Sequence, residues 1–144
     1  MSKITVRKIA DERRSRWIAL NLGFGEGGVI FEKVFYHVLS ESCPDYCGGY
    51  FDFVEASNGA CWLAPSKSER SKKCNVSSLN GWEGEMTFGA LCLACATVAV
   101  NRLCWDLYEK GNERASEKFS QMFYALREVC IEHPESSAIF AYLD

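Results

Sequence analysis

Cysteine is the residue type in this sequence with the widest range of possible chemistry, because its thiolate binds metals, attacks electrophiles and forms disulfides. The chain has eight cysteines. Cys43 and Cys47 flank a turn at Pro44, and with Cys61 or Cys74 they would supply ligands for a metal site at the edge of a sheet. A C-x-x-x-C spacing followed by isolated thiols is a weak signal, however, and we predict that no metal and no cofactor binds here.

Cys92 and Cys95 have the C-x-x-C spacing that zinc sites and thioredoxin-like motifs share. Zinc needs two more ligands, and a redox motif lies at the start of a helix that follows a strand. These two cysteines fall instead one turn apart in the apolar run FGALCLACATVAV, with no histidine nearby in sequence. We therefore predict that both are buried thiols that pack as small hydrophobic side chains.

Catalysis by a thiol also needs a base, and the sequence has two histidines, His37 and His133. The first falls on a predicted helix and the second at a helix end before Pro134, which are positions typical of surface and capping residues. Two carboxylates could act as acid and base, but those near the predicted turns and strands form no recognisable dyad: Asp45, Asp52, Glu55, Glu83 and Glu85. We predict that the protein has no catalytic residue and is not an enzyme.

The composition, with 48% hydrophobic and 24% charged residues in a chain of 144, predicts a single globular domain over residues 1–144. The start, MSKITVRKIADERRSR, lacks the apolar run of a secretory signal, so we expect the protein in the cytoplasm, where thiols stay reduced. The longest apolar run, residues 88–100, is shorter than the ~18 residues of a membrane span, so no membrane partner is expected.

The charge is unevenly distributed. The net charge is −3, but residues 1–16 hold six basic and two acidic side chains, whereas the rest holds ten basic and seventeen acidic ones. A DNA-binding domain is usually more basic overall, and a protein that imitates the phosphate charge of DNA needs far more acid. Direct nucleic-acid binding through the basic segments Arg7–Arg16 and Lys67–Lys73 remains an alternative, and it predicts an affinity that falls steeply with salt.

Two helices are predicted in the amino-terminal part of the chain. Asp11 caps a helix that runs to Leu22, and a second helix from Val29 to Ser42 is stopped by Pro44. Between them Gly23, Gly25 and Gly28 match the G-x-G-x-x-G spacing of dinucleotide-binding loops. That fingerprint requires a strand before it. Here a helix leads in, so the glycines are interpreted as a linker between helices.

Strands are predicted from Gly49 onwards. Phe51 and Phe53 alternate with Asp52 and Val54, an Asn-Gly pair gives the strongest short hairpin signal, and CWLAP forms the partner strand. CNVSSL is predicted as a third antiparallel strand and NGWEGEM as a turn. The fold class is therefore α+β with two layers: an antiparallel meander of three or four strands, packed against four to five helices.

Three helices are predicted to complete the chain. Thr87 caps an apolar helix that runs to Tyr108, a further helix extends from Asn112 to Glu132, and ESSAIFAYL forms a last piece before Asp144. The side chain of Asp144 lies at the carboxyl end of that piece, where negative charge is disfavoured. A charge cluster at such a place is either a frayed terminus or a contact for a partner.

The segment CPDYCGGYFDFVEASNGACWLAP, residues 43–65, resembles the signature of the ArdB/KlcA antirestriction family. In that signature a Pro-x-Tyr-x-Gly-Gly turn, an aromatic strand, an Asn-Gly hairpin and a strand ending in Ala-Pro follow one another. The matching positions are Pro44, Tyr46, Gly48, Gly49, Tyr50, Phe53, Asn58, Gly59, Ala64 and Pro65. Two more blocks match in order, NGWEGEMTFGALCLACATVAVNRL and EHPESSAIFAYLD. The sequence departs from the pattern at Phe51, where the family has Trp, and in its first helix.

The resemblance implies a small α/β protein of plasmids and other mobile elements that protects incoming DNA from type I restriction endonucleases of the host. It implies an inhibitor with no reaction of its own, whose partner is the restriction complex or an associated host factor. A net charge of −3 fits poorly with inhibition by DNA mimicry. Charge and resemblance therefore agree on an inhibitor that does not imitate DNA.

Two surfaces are candidates for contact with that partner. The exposed half of the predicted sheet would present Tyr46, Tyr50, Asp52, Trp82, Glu83 and Glu85, and the terminal segment from Glu135 to Asp144 is the second. The alternative is that these aromatic residues and the signature turn residues only build turns and core. Those turn residues are Pro44, Gly48, Gly49, Asn58, Gly59 and Pro65.

Overall fold

The computed structural model describes residues 3–10, 27–44, 46 and 49–144. These residues form four helices and two small antiparallel sheets. The elements are β1 (Val6–Lys8), α1 (Gly27–Ser42), β2 (Phe51–Ala56), β3 (Cys61–Pro65), β4 (Lys73–Ser77), β5 (Glu83–Thr87), α2 (Phe88–Glu109), α3 (Glu113–Glu132) and α4 (Ser136–Leu143). The predicted α+β class is confirmed. The predicted helix at Asp11–Leu22 and the glycines Gly23 and Gly25 lie outside the described residues.

Helix α2 is the centre of the fold. Thr87 begins it as predicted, with its side-chain oxygen accepting a hydrogen bond from the N–H of Ala90. Gly111, at φ +79°, follows its end. The helix packs against α1, α3, α4 and β3, and Ala90–Thr97 are all buried. By length and hydropathy alone α2 could cross a membrane, but most of its apolar side chains are enclosed by the rest of the protein.

The first sheet has the strand order β1-β2-β3 and is antiparallel throughout. Val54 pairs with Trp62 in β3 and with Lys8 in β1, so β2 is the central strand. The predicted hairpin between β2 and β3 is confirmed. The predicted alternation fails at Val54, which is 1% exposed, and every residue of β3 is buried. The sheet therefore does not have one buried face and one solvent-exposed face, as the alternating sequence pattern predicted.

The predicted meander is wrong in its third strand. CNVSSL does form a strand, but this strand, β4, pairs with β5 in a separate two-stranded sheet. The third strand of the first sheet is β1, which was not predicted. The stretch NGWEGEM, residues 80–86, was predicted as a turn, but its second half belongs to strand β5. The ring of Trp82 covers Gly84 so closely that any side chain there would collide with it. Packing of Trp82 against the backbone thus stabilises a strand of low intrinsic propensity.

The carboxyl-terminal helices follow the prediction closely. Asn112 caps α3, its side-chain oxygen accepting from the N–H of Ala115, and the backbone is extended at His133 before Pro134. Near the end of α3 the Glu132 carboxylate accepts a hydrogen bond of 3.0 Å from the N–H of Ile4. Residues far apart in sequence are thereby joined.

Candidate functional site

The described cysteines are free thiols, and five of them are buried: Cys43, Cys61, Cys92, Cys95 and Cys130. The prediction that Cys92 and Cys95 are buried in a helix is confirmed. Burial raises the pKa of Cys92 well above its ordinary value and that of Cys95 to about 12. Such thiols are poor nucleophiles at neutral pH. Within the described part of the chain, no three His, Cys, Asp or Glu side chains are grouped as a metal site would require; Cys47 lies outside it.

Both histidines have structural partners. Nε2 of His37 lies 3.1 Å from a carboxylate oxygen of Glu41 on the exposed side of α1. Nδ1 of His133 accepts a hydrogen bond of 2.9 Å from the N–H of Glu135. Burial lowers the pKa of His133, although the charge of Glu135 opposes the shift. His133 thus helps to shape the turn between α3 and α4.

The two tyrosines of the predicted sheet surface differ in their exposure to solvent. Tyr46 is half-buried, with its ring centroid 6.1 Å from that of Phe51 and 6.2 Å from that of Phe88. Tyr50, just before β2, is 91% exposed. An exposed aromatic side chain of this size is a candidate for contact with a partner. Of these two tyrosines, Tyr50 alone is presented to solvent.

Asp52 is enclosed by positive charge. Its carboxylate lies 3.4 Å from the Lys8 ammonium and 3.5 Å from the Arg70 guanidinium, and its side chain is 22% exposed. Arg70 also donates a hydrogen bond of 2.7 Å to the carbonyl of Pro65. One described residue from each basic segment, Lys8 and Arg70, therefore lies at Asp52. The charge of the segments is partly neutralised there and also at Glu55, 2.6 Å from Arg7.

Strand β5 presents two carboxylates to solvent. Glu83 and Glu85 alternate with Gly84 and Met86, and Met86 is fully buried. Because side chains alternate along a strand, both glutamates lie on the face turned away from the core. Trp82, directly before them, is half-buried and packs against the core. Two of the predicted surface residues, Glu83 and Glu85, therefore share one exposed face, whereas Trp82 covers Gly84 on the other side of the strand.

Glu135 connects the end of β5 to the start of α4. One carboxylate oxygen accepts a hydrogen bond of 2.8 Å from the N–H of Thr87, and the other accepts from the Thr87 hydroxyl. Burial raises the pKa of Glu135, but these hydrogen bonds, with His133 and Lys73 nearby, outweigh it and hold the pKa below its usual value. The carboxylate is therefore ionised and structurally engaged.

Asn80 makes the corresponding connection at the other end of β5. Its side-chain amide lies 3.4 Å from the carbonyls of Ala141 and Tyr142 at the end of α4. Its oxygen accepts from the N–H of Trp82 at 3.0 Å. Strand β5 and α4 are consequently held side by side. We call the surface of Glu83, Glu85, Glu135 and Asp144 the β5–α4 face.

A cleft of about 390 Å³ opens next to the Asp144 end of this face. Its inner wall includes Ser42 and Tyr142, whose hydroxyl oxygens lie 2.5 Å apart. Burial raises the pKa of Tyr142, so its hydroxyl stays protonated. The cleft is lined by residues of all four helices and of the turn between β4 and β5, among them Ser78, Leu79, Asn80, Arg102, Arg127 and Asp144.

The charges at this cleft are mixed. Arg102 lies 3.5 Å from a carboxylate oxygen of Glu41, and the guanidinium of Arg127 lies 5.5 Å from the centre of the Phe140 ring. Asp144 is exposed. Two guanidinium groups and two carboxylates suit a polar protein surface better than an anion or a cation alone. Sequence reasoning did not identify Arg102 or Arg127, because both fall within ordinary helical patterns.

The signature turn residues shape the backbone or connect the hairpin to α3. Gly49 and Gly59 have φ values of +148° and +93°, which favour glycine. Asn58 donates a hydrogen bond of 2.9 Å to the carbonyl of Ala125 in α3, and its oxygen accepts from the N–H of Ala60. Pro65 is buried at the end of β3 and Pro44 is exposed after α1; Gly48 lies outside the described residues.

Comparison with known proteins identifies similar chains. The sequence model of a family described as "Antirestriction protein" matches residues 44–144. Antirestriction protein KlcA of Escherichia coli is 25% identical over 144 residues, which cover 99% of this chain and 95% of that protein. Protein YfjX of Escherichia coli K12 is 27% identical over 142 residues, covering 99% of this chain and 89% of YfjX.

A solved structure has the same fold. It belongs to work on the KlcA and ArdB proteins, described as having a novel fold and antirestriction activity against type I DNA restriction systems in vivo but not in vitro. The TM-score is 0.82 at 23% sequence identity, over 99% of this chain and 96% of that one.

Proposed function

This chain belongs to the antirestriction protein family, and from that premise we propose that it relieves type I restriction of DNA that enters a host cell. In this proposal a plasmid or another mobile element carries it. It works in the cytoplasm as an inhibitor, without a reaction of its own. The raised thiol pKa values and the structural engagement of both histidines support a non-enzymatic function.

The junctions between β5 and α4 point to one surface as the contact site. The second and third blocks of the family resemblance are distant in sequence, yet they are joined at both ends of β5, by Glu135 to Thr87 and by Asn80 to the end of α4. The face that they form together bears the exposed carboxylates Glu83 and Glu85. We infer that the β5–α4 face contacts the partner.

The partner is a component of the host cell. The related KlcA and ArdB proteins are active in vivo but not in vitro, which favours action through a factor that a purified restriction assay lacks. A net charge of −3 argues against DNA mimicry. We propose that this chain acts through such a factor, associated with the restriction complex, rather than by occupying the DNA site of the enzyme.

The test is the plating efficiency of unmodified phage on cells that carry a type I restriction system and express this protein. Wild type is expected to raise plating while modification of the recovered phage stays normal. The double variant Glu83→Gln/Glu85→Gln is expected to lose most of this effect at equal protein abundance. The matched control Asp106→Asn/Glu109→Gln removes the same charge from the end of α2 and is expected to behave as wild type.

The outcomes test the proposed function and the proposed contact surface independently. No rise in plating against several type I systems, with folded and abundant protein, would contradict the proposed function. A rise that persists in Glu83→Gln/Glu85→Gln, or that is lost equally in the control, would instead reject the β5–α4 face.

A second candidate function has one observation in its favour. One residue from each basic segment that suggested nucleic-acid binding, Lys8 and Arg70, lies at Asp52. Partial neutralisation by Asp52 and Glu55 argues for a structural junction instead. The measurement is the affinity for a 30-base-pair DNA duplex at several salt concentrations. A steep fall with salt that Arg70→Gln flattens would establish DNA binding; the same weak affinity in wild type and variant would exclude this site.

A further inference from the structure

A second surface lies away from the β5–α4 face, where α2 ends and α3 begins. A groove of about 520 Å³ runs between the two helices there. Its lining consists of an aromatic wall and an acidic wall, with small polar groups between them. The lining residues are Cys104, Trp105, Tyr108, Glu113, Ser116, Glu117 and Ser120. We call it the aromatic–acidic groove.

The aromatic wall is unusually open. Trp105 is 61% exposed and Tyr108 is 60% exposed. They lie three residues apart on α2, and their rings meet edge to face, with centroids 6.2 Å apart. Tryptophan is mostly buried in folded proteins and is enriched where proteins bind one another. The pair therefore indicates a contact surface.

The acidic wall consists of two glutamates on α3. Glu113 and Glu117 lie one turn apart on α3, and neither forms an ion pair within the part of the chain that the structure describes. Like charges at this spacing repel each other. The dipole of α3 favours Glu113 in the first turn, but this effect decays before Glu117. By contrast, Asp106 nearby has Lys110 as a partner at 3.8 Å.

The end of α2 adds to the negative potential. The last turn of α2 contains no basic residue, so its terminal carbonyls contribute a partial negative charge there; Lys110, which caps the helix, lies 3.8 Å from the Asp106 carboxylate. Among the described residues that line the groove there is also no basic side chain. Its charge therefore complements a cation.

The floor of the groove is held in place. The hydroxyl of Ser116 donates a hydrogen bond of 2.9 Å to the carbonyl of Cys104, and the Cys104 thiol lies 3.4 Å from the carbonyl of Ser116. These contacts fix α2 against α3 directly beneath the two walls. A groove that is formed before binding loses less conformational entropy when a ligand enters.

We propose that the aromatic–acidic groove binds an arginine side chain presented by an extended basic segment of a partner protein. The planar guanidinium stacks on the ring of Trp105 or Tyr108 and donates hydrogen bonds to the carboxylates of Glu113 and Glu117. An ammonium group can use the charge but not the stacking and paired hydrogen bonds together, which distinguishes arginine from lysine.

The test is an NMR titration of the ¹⁵N-labelled protein with a capped peptide, Gly-Arg-Gly-Arg-Gly. The indole N–H signal of Trp105, assigned with Trp105→Phe, is expected to shift and saturate, while that of Trp82 stays in place. The same peptide with citrulline, which retains the shape of arginine without its charge, is expected to cause no shift. Glu113→Gln/Glu117→Gln is expected to weaken binding about tenfold.

The control variant is again Asp106→Asn/Glu109→Gln, which removes two charges beside Trp105 but outside the groove, and it is expected to bind as wild type. Each of the following results would overturn the proposal: no shift of Trp105, equal weakening in both double variants, or equal affinity for a lysine peptide. A Trp105 shift that depends on protein concentration without peptide would also overturn it, by making a second copy of the chain the occupant. Unchanged dispersion of the amide spectrum shows that each variant is folded.

Discussion

Glu135 accepts hydrogen bonds from both the backbone N–H and the hydroxyl of Thr87. Thr87 is the residue that caps α2, and Glu135 precedes the first residue of α4. One carboxylate thus fixes the start of the central helix relative to the start of the terminal one. The position of α4, and with it the β5–α4 face, depends on this contact.

Replacement of Glu135 by alanine is expected to lower the free energy of unfolding by about 2–3 kcal/mol, because it leaves two donors of Thr87 without their charged acceptor. Glu135→Gln retains one acceptor and is expected to cost about 1 kcal/mol. Urea unfolding at pH 7 measures both. The control is Ser137→Ala on the exposed side of α4, which is expected to stay within about 0.5 kcal/mol of wild type.

The same carboxylate predicts a dependence of stability on pH. Its pKa in the folded protein lies below the usual 4.5, so the folded state binds its proton less readily than the unfolded state. The contribution of Glu135 is therefore fully present above pH 4.5 and is lost as the pH falls through the folded pKa. Unfolding measured between pH 3 and 7 is expected to show a smaller acid slope for Glu135→Gln than for wild type; equal slopes would contradict the assignment.

His133 is expected to add a second loss of stability on acidification, in a pH range above that of Glu135. Burial lowers its pKa below the usual 6.5, and Nδ1 must be unprotonated to accept from the N–H of Glu135. The stabilising contribution is present above pH 6.5 and is lost as the pH falls through the folded pKa. The imidazole C2–H signal of His133, followed by NMR against pH, is expected to titrate below 6.5. Titration at or above 6.5 would show that the hydrogen bond does not persist in solution.

Asn58 is predicted to hold the first hairpin on α3. Asn58→Ala removes the hydrogen bonds to Ala125 and from Ala60 and is expected to cost about 1–3 kcal/mol. Asn58→Asp keeps the acceptor for Ala60, but it loses the donor and places a second carboxylate beside Glu128. The aspartate variant is therefore expected to be destabilised at pH 7 and partly recovered at pH 4. If both variants unfold like wild type, the contact with α3 does not stabilise the protein.

The buried thiols are predicted to resist alkylation. Iodoacetamide at pH 8 is expected to leave Cys43, Cys61, Cys92, Cys95 and Cys130 unmodified in the native protein, because burial excludes the reagent and keeps Cys95 protonated, with a pKa of about 12. Peptide mass spectrometry reads out each site, and urea-unfolded protein is the control, in which all of them react. Rapid native labelling of Cys95 would show that α2 opens.

Tyr50 is exposed, so its replacement tests binding without a change in stability. Tyr50→Ser at a side chain 91% exposed is expected to change the free energy of unfolding by less than about 0.5 kcal/mol. If Tyr50 contacts the restriction machinery, the variant lowers phage plating without lowering protein abundance. Plating equal to wild type would remove Tyr50 from the candidate surface.

The helices were predictable because their ends carry strong local signals. Thr87, Asn112 and the His133-Pro134 pair act on the backbone next to them, so short-range chemistry fixes the boundaries of α2 and α3. The same holds for the Asn58-Gly59 hairpin, whose turn sets the register of β2 against β3. The sequence was sufficient to predict these helix ends and this hairpin because the residues that determine them act on their neighbours in the chain.

Strands β1 and β5 could not be predicted, because their stability is tertiary. Val6–Lys8 is exposed along its whole length and shows no apolar alternation; it becomes a strand by pairing with β2 and by the ion pair of Arg7 with Glu55. Strand β5 contains a glycine between two glutamates, which disfavours a strand by propensity, and the cover provided by Trp82 is visible only in three dimensions.

The candidate surface was predictable only in part. Glu83, Glu85 and Trp82 are neighbours in sequence, so their proximity was expected, but their junction with Glu135 and Asn80 required the fold. Asp52 was expected to be solvated and is instead enclosed by two cations. The second cation comes from a loop whose path the sequence does not encode locally.

The hydrogen bond from Ile4 to Glu132 has a consequence for synthesis on the ribosome. At about 5–20 residues per second, residue 132 follows residue 4 by roughly 6–25 seconds. Until residue 132 is made, the segment before β1 lacks this contact, and a short strand that detaches leaves the edge of β2 unpaired. A nascent chain that stalls before α3 is complete would therefore offer an open sheet edge to chaperones, proteases or other nascent chains.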